Sequence, residues 1–399
     1  MRAQTRQGLP SPTRQQQGGG RRRAVSAAAA LVIGVMTTGA LAPTTASASG
    51  SAAAAAAASP DAVQRALNAL VRDDGMPAAL ASVQDRDGRT RTYTAGVGDL
   101  ATGSKVPKDG QVRIGSNTKA FTAVVVLQLV GEGKIGLDSM VETYLPGLVR
   151  GEGIDGRHIK VRQLLQHTSG LPDYGVHIDD DEIRNRYVEP RDLLDIALRY
   201  KADAAPGEKW GYSNTNYVLA GLIVQKVTGR PLAEEIDRRI IKRIGLRHTY
   251  FPAPGEMTIR EPHPQGYHRN PEDGPLRDFT EMDPSWAWAA GQLISTNSDL
   301  NRFFTALLGG RLLPAAQLAE MRTTVPAGTS GLRYGLGLMS RPLSCGGVYW
   351  GHGGDIVGYE TRGGVTDDGR AANVTVTSIP TDDSAAQHVK DAVDRALCG

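Results

Sequence analysis

Residues 115–133 read GSNTKAFTAVVVLQLVGEG, and this stretch decides the fold. The run from 120 to 130 is apolar on nearly every side of a helix, which is typical of a helix buried in a protein interior. Gly131 and Gly133 end the run. The pattern therefore predicts a buried central helix with Ser116 at or near its N-terminus.

Strands are predicted on both sides of this helix. Residues 79–97 read as two strands that turn at Asp87-Gly88, and strand-like segments return near the C-terminus around a second turn at Asp368-Gly369. Residues from about 158 to 310 have mostly helical spacing. This order predicts a two-part α+β (α/β) fold, with one antiparallel sheet flanked by helices, an inserted all-helical subdomain and an active-site cleft between them.

The first residues are typical of a targeting segment. Three arginines, an apolar run and a small-x-small site predict a signal peptide over 1–48, cleaved after about Ala48. Thr37, Thr38 and Gly39 interrupt the apolar run, which argues against a stable membrane span, although an uncleaved anchor is the alternative. We expect a disordered Ala/Ser-rich leader over 49–59, a folded domain over 60–399, and a secreted protein.

Composition excludes several classes of function. The net charge of +3 over 399 residues is small and comes largely from the N-terminal arginines, so no nucleic-acid partner is expected. The eight histidines show no metal-ligand spacing, and neither a metal nor another cofactor is predicted. Cys345 and Cys398 suggest one disulfide in an exported chain, with two unpaired thiols as the alternative. We expect a monomer.

Ser116 and Lys119 are three residues apart, and on a helix they share one face. A serine hydroxyl becomes a good nucleophile when a neighbouring base accepts its proton. Burial and the positive helix end would help the lysine to lose its own proton. The alternative is a capping serine beside an exposed lysine.

Two further motifs contain residues with suitable chemistry. In the first, Tyr212 could serve as a general base if nearby cations lowered its pKa, and the Asn214 amide could bind a substrate carbonyl and the lysine. The alternative is a turn with Asn214 as a helix N-cap. In the second, His352 could face the cleft between Gly351 and Gly353, or could be a solvated histidine at a strand end.

Ser-x-x-Lys, Tyr-x-Asn and His-x-Gly, in this order, resemble the motifs of the penicillin-recognising serine hydrolases, a superfamily that includes class C β-lactamases. The segments VRQLLQHTSGLPDY, GYSNTNYVLAG and LSCGGVYWGHGG are most similar to secreted Streptomyces D-alanyl-D-alanine carboxypeptidases. The resemblance covers about residues 60–399 and implies a β-lactamase-like fold.

The resemblance also implies residue roles. Ser116 would be acylated with help from Lys119, Tyr212 would relay protons, and His352 would line the third side of the site. The oxyanion hole would be formed by the N–H groups of Ser116 and Asp355. Cys345 and Cys398 stand where that group has its disulfide. The implied substrate-binding residues are Asn214, Trp286, Gly353, Gly354, Asp355 and Arg341.

The residues at three positions of the implied pocket do not determine which class of substrate the protein binds. Trp286 would be an aromatic wall of the pocket or, equally, part of the core. Gly353 stands where the carboxypeptidases usually have a hydroxyl residue that helps bind the terminal carboxylate, and Met339 stands where an arginine can occur. Arg341, two residues further, shares the strand face of Met339.

The function predicted from the sequence is that of a D-alanyl-D-alanine carboxypeptidase or D-specific peptidase that β-lactams acylate. The substrate would be a small molecule or a peptide. The alternatives are an esterase, amidase or β-lactamase with the same catalytic residues, and a non-catalytic penicillin-binding sensor.

Overall fold

The computed structural model describes residues 60–270, 274–328 and 331–399. The predicted signal peptide and leader lie outside the described residues. Within the described part, no helix is long and apolar enough to cross a bilayer. Its α-helices are α1 (Pro60–Arg72), α2 (Thr118–Gly131), α3 (Val141–Tyr144), α4 (Val161–Leu165), α5 (Asp180–Ile183), α6 (Pro190–Ala197), α7 (Thr215–Thr228), α8 (Leu232–Ile236), α9 (Lys242–Ile244), α10 (Trp288–Gly291), α11 (Asn297–Leu308), α12 (Ala315–Arg322) and α13 (Asp383–Cys398).

The strands are mostly short, and the longer ones lie toward the two ends of the described chain. They are β1 (Ala78–Gln84), β2 (Thr90–Asp99), β3 (Ser104–Lys105), β4 (Val112–Arg113), β5 (Arg150–Gly151), β6 (Ile154–Asp155), β7 (Tyr267–His268), β8 (Arg277–Asp278), β9 (Ile294–Ser295), β10 (Val325–Pro326), β11 (Arg333–Tyr334), β12 (Met339–Pro342), β13 (Val348–Gly351), β14 (Gly354–Ile356), β15 (Tyr359–Thr366) and β16 (Ala371–Val376).

One antiparallel sheet joins both ends of the described chain, as the sequence predicted. Its order is β10-β11-β12-β13-β15-β16-β1-β2-β3, and β14 pairs with β15. The N-terminal strand β1 pairs with the C-terminal strand β16, with Ala79 opposite Val376. The β1–β2 and β15–β16 hairpins turn where the two Asp-Gly pairs predicted them.

The sheet separates two apolar layers. On one face, α1 and α13 pack through Leu67, Leu70, Val389 and other buried side chains. On the other face, α11 packs against β1, β15 and β16. Phe303 of α11 stacks on Phe121 of α2 at 3.8 Å between ring centroids. Helix α2 thus lies behind α11 and is further enclosed by the helices α7, α8, α10 and α12.

Helix α2 has the all-round burial that its sequence predicted. Every residue from Thr118 to Leu129 is buried. A 3-10 turn, Gly115–Asn117, leads into the helix, so Ser116 lies just before its first turn. A short pairing of β4 with β9 holds the preceding segment, with Val112 opposite Ser295. The region predicted as helical therefore also contributes a strand that anchors the nucleophile turn.

A buried arginine fixes the connection beneath this turn. Arg113 Nη2 donates to the carbonyl oxygens of Met257 at 2.5 Å, Thr280 at 2.9 Å and Met282 at 3.2 Å. Its side chain is almost fully buried. Because buried guanidinium groups need several acceptors, this residue holds the long segment between α9 and α10 against β4.

The structure joins Cys345 and Cys398 in a disulfide across 53 residues. The bond attaches the end of α13 to the turn between β12 and β13.

Replacing both cysteines by serine is expected to lower the free energy of unfolding by about 2–4 kcal/mol, since the open chain gains entropy when a long loop is released. Denaturant unfolding of the variant and of the oxidised protein measures the difference. The wild-type protein with its disulfide reduced is the control and should resemble the variant. Equal stability of oxidised and reduced protein would contradict the prediction.

Candidate active site

Ser116 and Lys119 meet at the start of α2. Lys119 Nζ lies 2.9 Å from Ser116 Oγ. The lysine has no exposed surface, whereas Ser116 is partly exposed. The alternative of a capping serine beside an exposed lysine is therefore wrong.

The Lys119 amine makes two further contacts, both with carbonyl oxygens. Nζ lies 2.6 Å from Asn214 Oδ1 and 3.0 Å from Ala290 O. A neutral amine has two N–H groups and one lone pair. The two carbonyl acceptors can take the N–H groups, which leaves the lone pair facing Ser116 Oγ.

Burial makes the neutral amine accessible near physiological pH. It lowers the pKa of Lys119 from 10.5 to about 7, and the charges of Asp173 and Asp355 oppose the shift. A large share of Lys119 is therefore uncharged at neutral pH and able to accept the Ser116 proton.

Asp173 fixes the orientation of the Asn214 amide. Asn214 Nδ2 donates to Asp173 Oδ2 at 3.0 Å, so Oδ1 must face the lysine. The Asn214 backbone N–H also donates to Asp173 Oδ1 at 3.1 Å. Asn214 stands at the N-cap position of α7, as the alternative predicted, but its side chain makes no capping bond and is engaged by Asp173 and Lys119 instead. Asp173 lies within the segment VRQLLQHTSGLPDY, but no role for it was predicted from the sequence.

Tyr212 lies beside the same pair of residues. Lys119 Nζ is 4.8 Å from the centroid of its ring. Burial raises the pKa of Tyr212 well above its usual value, and the neighbouring Ser116 side chain offsets this shift in part. The lowered pKa that a tyrosine base would require is therefore absent. Tyr212 carries its proton, and the base with a shifted pKa is Lys119.

His352 is buried, and both of its ring nitrogens are occupied. Nδ1 lies 2.5 Å from Gly353 O and must donate to it. Nε2 then accepts from Tyr334 Oη at 2.8 Å. Burial lowers the pKa of His352 to about 3, which keeps this neutral tautomer. The alternative of a solvated histidine is wrong, since His352 is buried and links β11 to the strand end at Gly353. His352 also lines the cavity at Ser116, on the side of the cleft that the sequence predicted.

Strand β14 lies against the nucleophile turn. A side chain at Gly354 would place its Cβ 1.9 Å from Ile114 O, so this close approach requires glycine. A Cβ on Gly115, whose φ is +46°, would lie 3.0 Å from Asp355 N. The backbone N–H of Asp355 therefore comes close to the turn that carries Ser116, as an oxyanion hole of these two groups requires.

A cavity of about 460 Å³ opens at Ser116. Its lining includes seven of the residues named from the sequence: Ser116, Tyr212, Asn214, Arg341, His352, Gly353 and Asp355. Trp286 is outside this lining and packs, partly buried, against the main apolar core. The structure therefore favours core packing for Trp286 over the pocket wall implied by the resemblance.

Charged residues that were not predicted from the sequence lie around Gly353, in the same cavity as Ser116. A side chain on Gly353 would place its Cβ 3.1 Å from Arg362 Nη1. Arg362 lies on β15, 2.5 Å from Asp355 Oδ1 and 3.0 Å from Glu360 Oε2. Lys390 of α13 also lines the cavity. No local pattern in the sequence indicates these residues, because β15 and α13 meet at this cavity only through the tertiary fold.

The motif geometry agrees with a match between this chain and a family model. Residues 63–397 match the model described as Beta-lactamase. The chain belongs to the Beta-lactamase family. The superfamily and the two-part β-lactamase-like fold inferred from the motifs are thereby confirmed.

Individual relatives point in the same direction. The chain is 30% identical over 274 residues to penicillin-binding protein 4 of Amycolatopsis lactamdurans, which covers 66% of this chain and 69% of that protein. It is 42% identical, with a TM-score of 0.76, to a D-stereospecific amidohydrolase from Streptomyces, over 84% of this chain and 98% of the other. A D-amino acid amidase from Ochrobactrum anthropi has 29% identity and a TM-score of 0.76, over 84% and 97% of the two chains.

The pKa of Lys119 predicts the pH dependence of acylation. The neutral amine is the reactive form, so the second-order rate of labelling by a fluorescent penicillin should rise with pH and level off above a midpoint near 7. Lys119→Arg, which stays charged, should label more than about 100-fold more slowly. The exposed Lys105→Arg is the matched control. A midpoint near the ordinary lysine value, or an unimpaired Lys119→Arg, would contradict this assignment.

Proposed function

We propose that this serine hydrolase cleaves amide bonds of D-amino acid substrates through an acyl-enzyme on Ser116. The observation that carries the proposal is the fully buried Lys119 amine, 2.9 Å from Ser116 Oγ, with its other two contacts on carbonyl oxygens. The stereochemistry is supported by the two solved relatives, whose names specify D-stereospecific or D-amino acid substrates.

Acylation begins as Ser116 Oγ bonds to the substrate carbonyl carbon and its proton passes to Lys119 Nζ. The electron pair of the carbonyl moves onto oxygen, where the N–H groups of Ser116 and Asp355 stabilise it. The C–N bond then breaks, and the protonated Tyr212 hydroxyl gives its proton to the leaving nitrogen. Lys119 returns a proton to Tyr212, which leaves a neutral amine product and an ester on Ser116.

Deacylation uses the same groups in reverse order. Water attacks the ester carbonyl as its proton passes to Lys119, either directly or through Tyr212. The bond to Ser116 Oγ breaks and the serine regains a proton. The product is the D-amino acid or peptide acid, and the site is restored.

The charged residues at the Gly353 end of the cavity indicate the chemistry of the substrate's leaving group. In the described residues, Arg341 and Lys390 form no salt bridge, whereas Arg362 is paired with Asp355 and Glu360. Two uncompensated cations in this cavity favour a carboxylate on the leaving group. This observation supports a D-specific peptidase with carboxypeptidase character. Arg341 and Lys390 could bind the carboxylate in place of the hydroxyl that Gly353 lacks.

Ser116→Ala is expected to lower the hydrolysis of a D-alanyl-D-alanine peptide and of D-phenylalanine amide by more than about 10³-fold, because the acyl-enzyme cannot form. The matching L-substrates should be poor for the wild-type enzyme. Release of D-alanine or ammonia measures both comparisons, and the exposed Ser104→Ala is the control. Normal turnover by Ser116→Ala would remove the nucleophile assignment, and equal rates on D- and L-substrates would remove the stereochemical one.

The carboxylate contact predicts a difference between a D-alanyl-D-alanine peptide and the same peptide with its C-terminus amidated. Arg341→Met combined with Lys390→Met should lower kcat/KM for the acid about 10–100-fold and leave the amide nearly unchanged, since a charge-assisted hydrogen bond contributes about 1.5–3 kcal/mol. The exposed Lys226→Met is the matched control. An equal loss of kcat/KM on both peptides would exclude a role for Arg341 and Lys390 in binding the carboxylate.

A second candidate function is that of an esterase or β-lactamase. The observation that favours it is Gly353, which removes the hydroxyl that carboxypeptidases direct at a carboxylate. Hydrolysis of a chromogenic cephalosporin or a p-nitrophenyl ester in preference to every D-amide would favour this candidate. Labelling by a β-lactam without turnover of any substrate would favour the sensor alternative.

We also propose that the protein is exported, with cleavage after about Ala48. The disulfide between Cys345 and Cys398 supports an oxidising compartment. The N-terminal sequence of the protein recovered from the culture medium tests this proposal. Retention of residues 1–48, or recovery from the cytoplasm alone, would contradict it.

A further inference from the structure

A buried histidine that was not among the predicted catalytic residues forms hydrogen bonds with the residues on both sides of Tyr212. His167 follows α4 and has no exposed surface. Its carbonyl oxygen accepts from Gly211 N at 2.9 Å, and its ring Nδ1 accepts from Ser213 N at 3.2 Å. The residues immediately before and after Tyr212 are thus both hydrogen-bonded to one residue.

The hydrogen-bond pattern defines the tautomer of His167. Asn216 Nδ2 lies 3.1 Å from Nδ1, and Ser169 Oγ donates to Asn216 Oδ1 at 2.5 Å, which turns the Asn216 donor toward the ring. Nδ1 therefore faces two donors and must be unprotonated, so Nε2 carries the proton. Burial is the main cause that lowers the pKa of His167 well below its usual value, and it maintains this neutral form.

The imidazole ring also supports the tyrosine ring. The two centroids are 4.3 Å apart, and the rings are tilted by 34°. Tyr334, which hydrogen-bonds His352, packs edge-on against the same imidazole, with 4.9 Å between the ring centroids. His167 has a φ of +59°, a left-handed conformation that non-glycine residues seldom adopt. In this conformation its carbonyl and its ring both contact the Gly211–Ser213 loop.

We propose that His167 is a positioning residue for Tyr212, which sets the distance between the tyrosine hydroxyl and Ser116 by fixing the Gly211–Ser213 backbone and one face of the ring. This inference rests on the proposed function, in which Tyr212 transfers a proton to the leaving nitrogen. A small displacement of a proton donor lowers the chemical rate without altering the cavity that binds the substrate.

Two substitutions separate the hydrogen bond from the packing. His167→Asn keeps an acceptor, Oδ1, in the place of Nδ1, and asparagine tolerates the left-handed conformation. His167→Leu fills the space but provides no acceptor. On a D-alanyl-D-alanine peptide, we expect His167→Leu to lower kcat about 10–100-fold with KM within about threefold, and His167→Asn to recover most of the loss.

A double-mutant cycle with Tyr212→Phe distinguishes positioning from a general structural role. If His167 acts through Tyr212, His167→Leu should add little to the loss caused by Tyr212→Phe. Multiplication of the two losses, or failure of His167→Asn to recover activity while remaining folded, would overturn the proposal. Ser116→Ala is measured in parallel: its normal turnover would reject the proposed function, whereas its inactivity with an unimpaired His167→Leu would reject this inference alone.

Wild-type protein provides a test that does not depend on the folding of a variant. Histidine side-chain nitrogen NMR, with the signal assigned through the proximity of the ring to Tyr212 and Tyr334, should show unprotonated Nδ1 and protonated Nε2 from about pH 5 to pH 8. A proton on Nδ1, or titration within this range, would overturn the proposal, because the ring could not then accept from Ser213.

Discussion

The site depends on one costly arrangement, the burial of a lysine amine without a carboxylate in direct contact. Lys119 lies on a helix that is buried on every side, and its amine is satisfied by Ser116 and two carbonyl groups. A charged amine in this setting loses its hydration, so the interior favours the neutral form. The surrounding helices, α7 and α10 above all, exclude water from α2, and the chemistry of the site is a consequence of that packing.

The same burial shifts the two proton-transfer groups in opposite directions. It lowers the pKa of Lys119 to about 7 and raises that of Tyr212. An environment that separates two pKa values in this way assigns a base and an acid without any further charge. In the proposed mechanism, Lys119 accepts the serine proton and Tyr212 donates to the leaving group, so Tyr212 serves as the proton relay that the resemblance implied and not as the primary base.

Features fixed by local spacing were predictable from the sequence. Ser116 and Lys119 are three residues apart on one helix, so their proximity follows from helical geometry, and the antiparallel sheet follows from the alternating segments and their Asp-Gly turns. Asp173 and His167 were not predictable as site residues. Each touches a motif residue through a backbone or amide group 41 or 46 positions away, and only tertiary packing brings these groups together.

The state of His352 could not be read from the sequence for a different reason. Each ring nitrogen of His352 has its own hydrogen-bond partner. Nδ1 contacts Gly353 O, and Nε2 contacts Tyr334 Oη, which lies on β11 and reaches His352 only through the tertiary fold. The motif identifies the position correctly but not the direction of its hydrogen bonds. A motif of three residues therefore predicts the members of a site more reliably than it predicts what each member does.

The absence of a side chain at Gly353 shapes the charged end of the cavity. Gly353 leaves room for Arg362, whose charge is compensated by Asp355 and Glu360. Burial raises the pKa of Glu360 to about 7, so this compensation weakens as the pH falls toward and below neutrality. Lys119 gains its proton over the same range and loses its ability to act as a base. For a substrate with a carboxylate on its leaving group, acidification therefore strengthens the attraction at one end of the cavity while it slows the chemistry at the other.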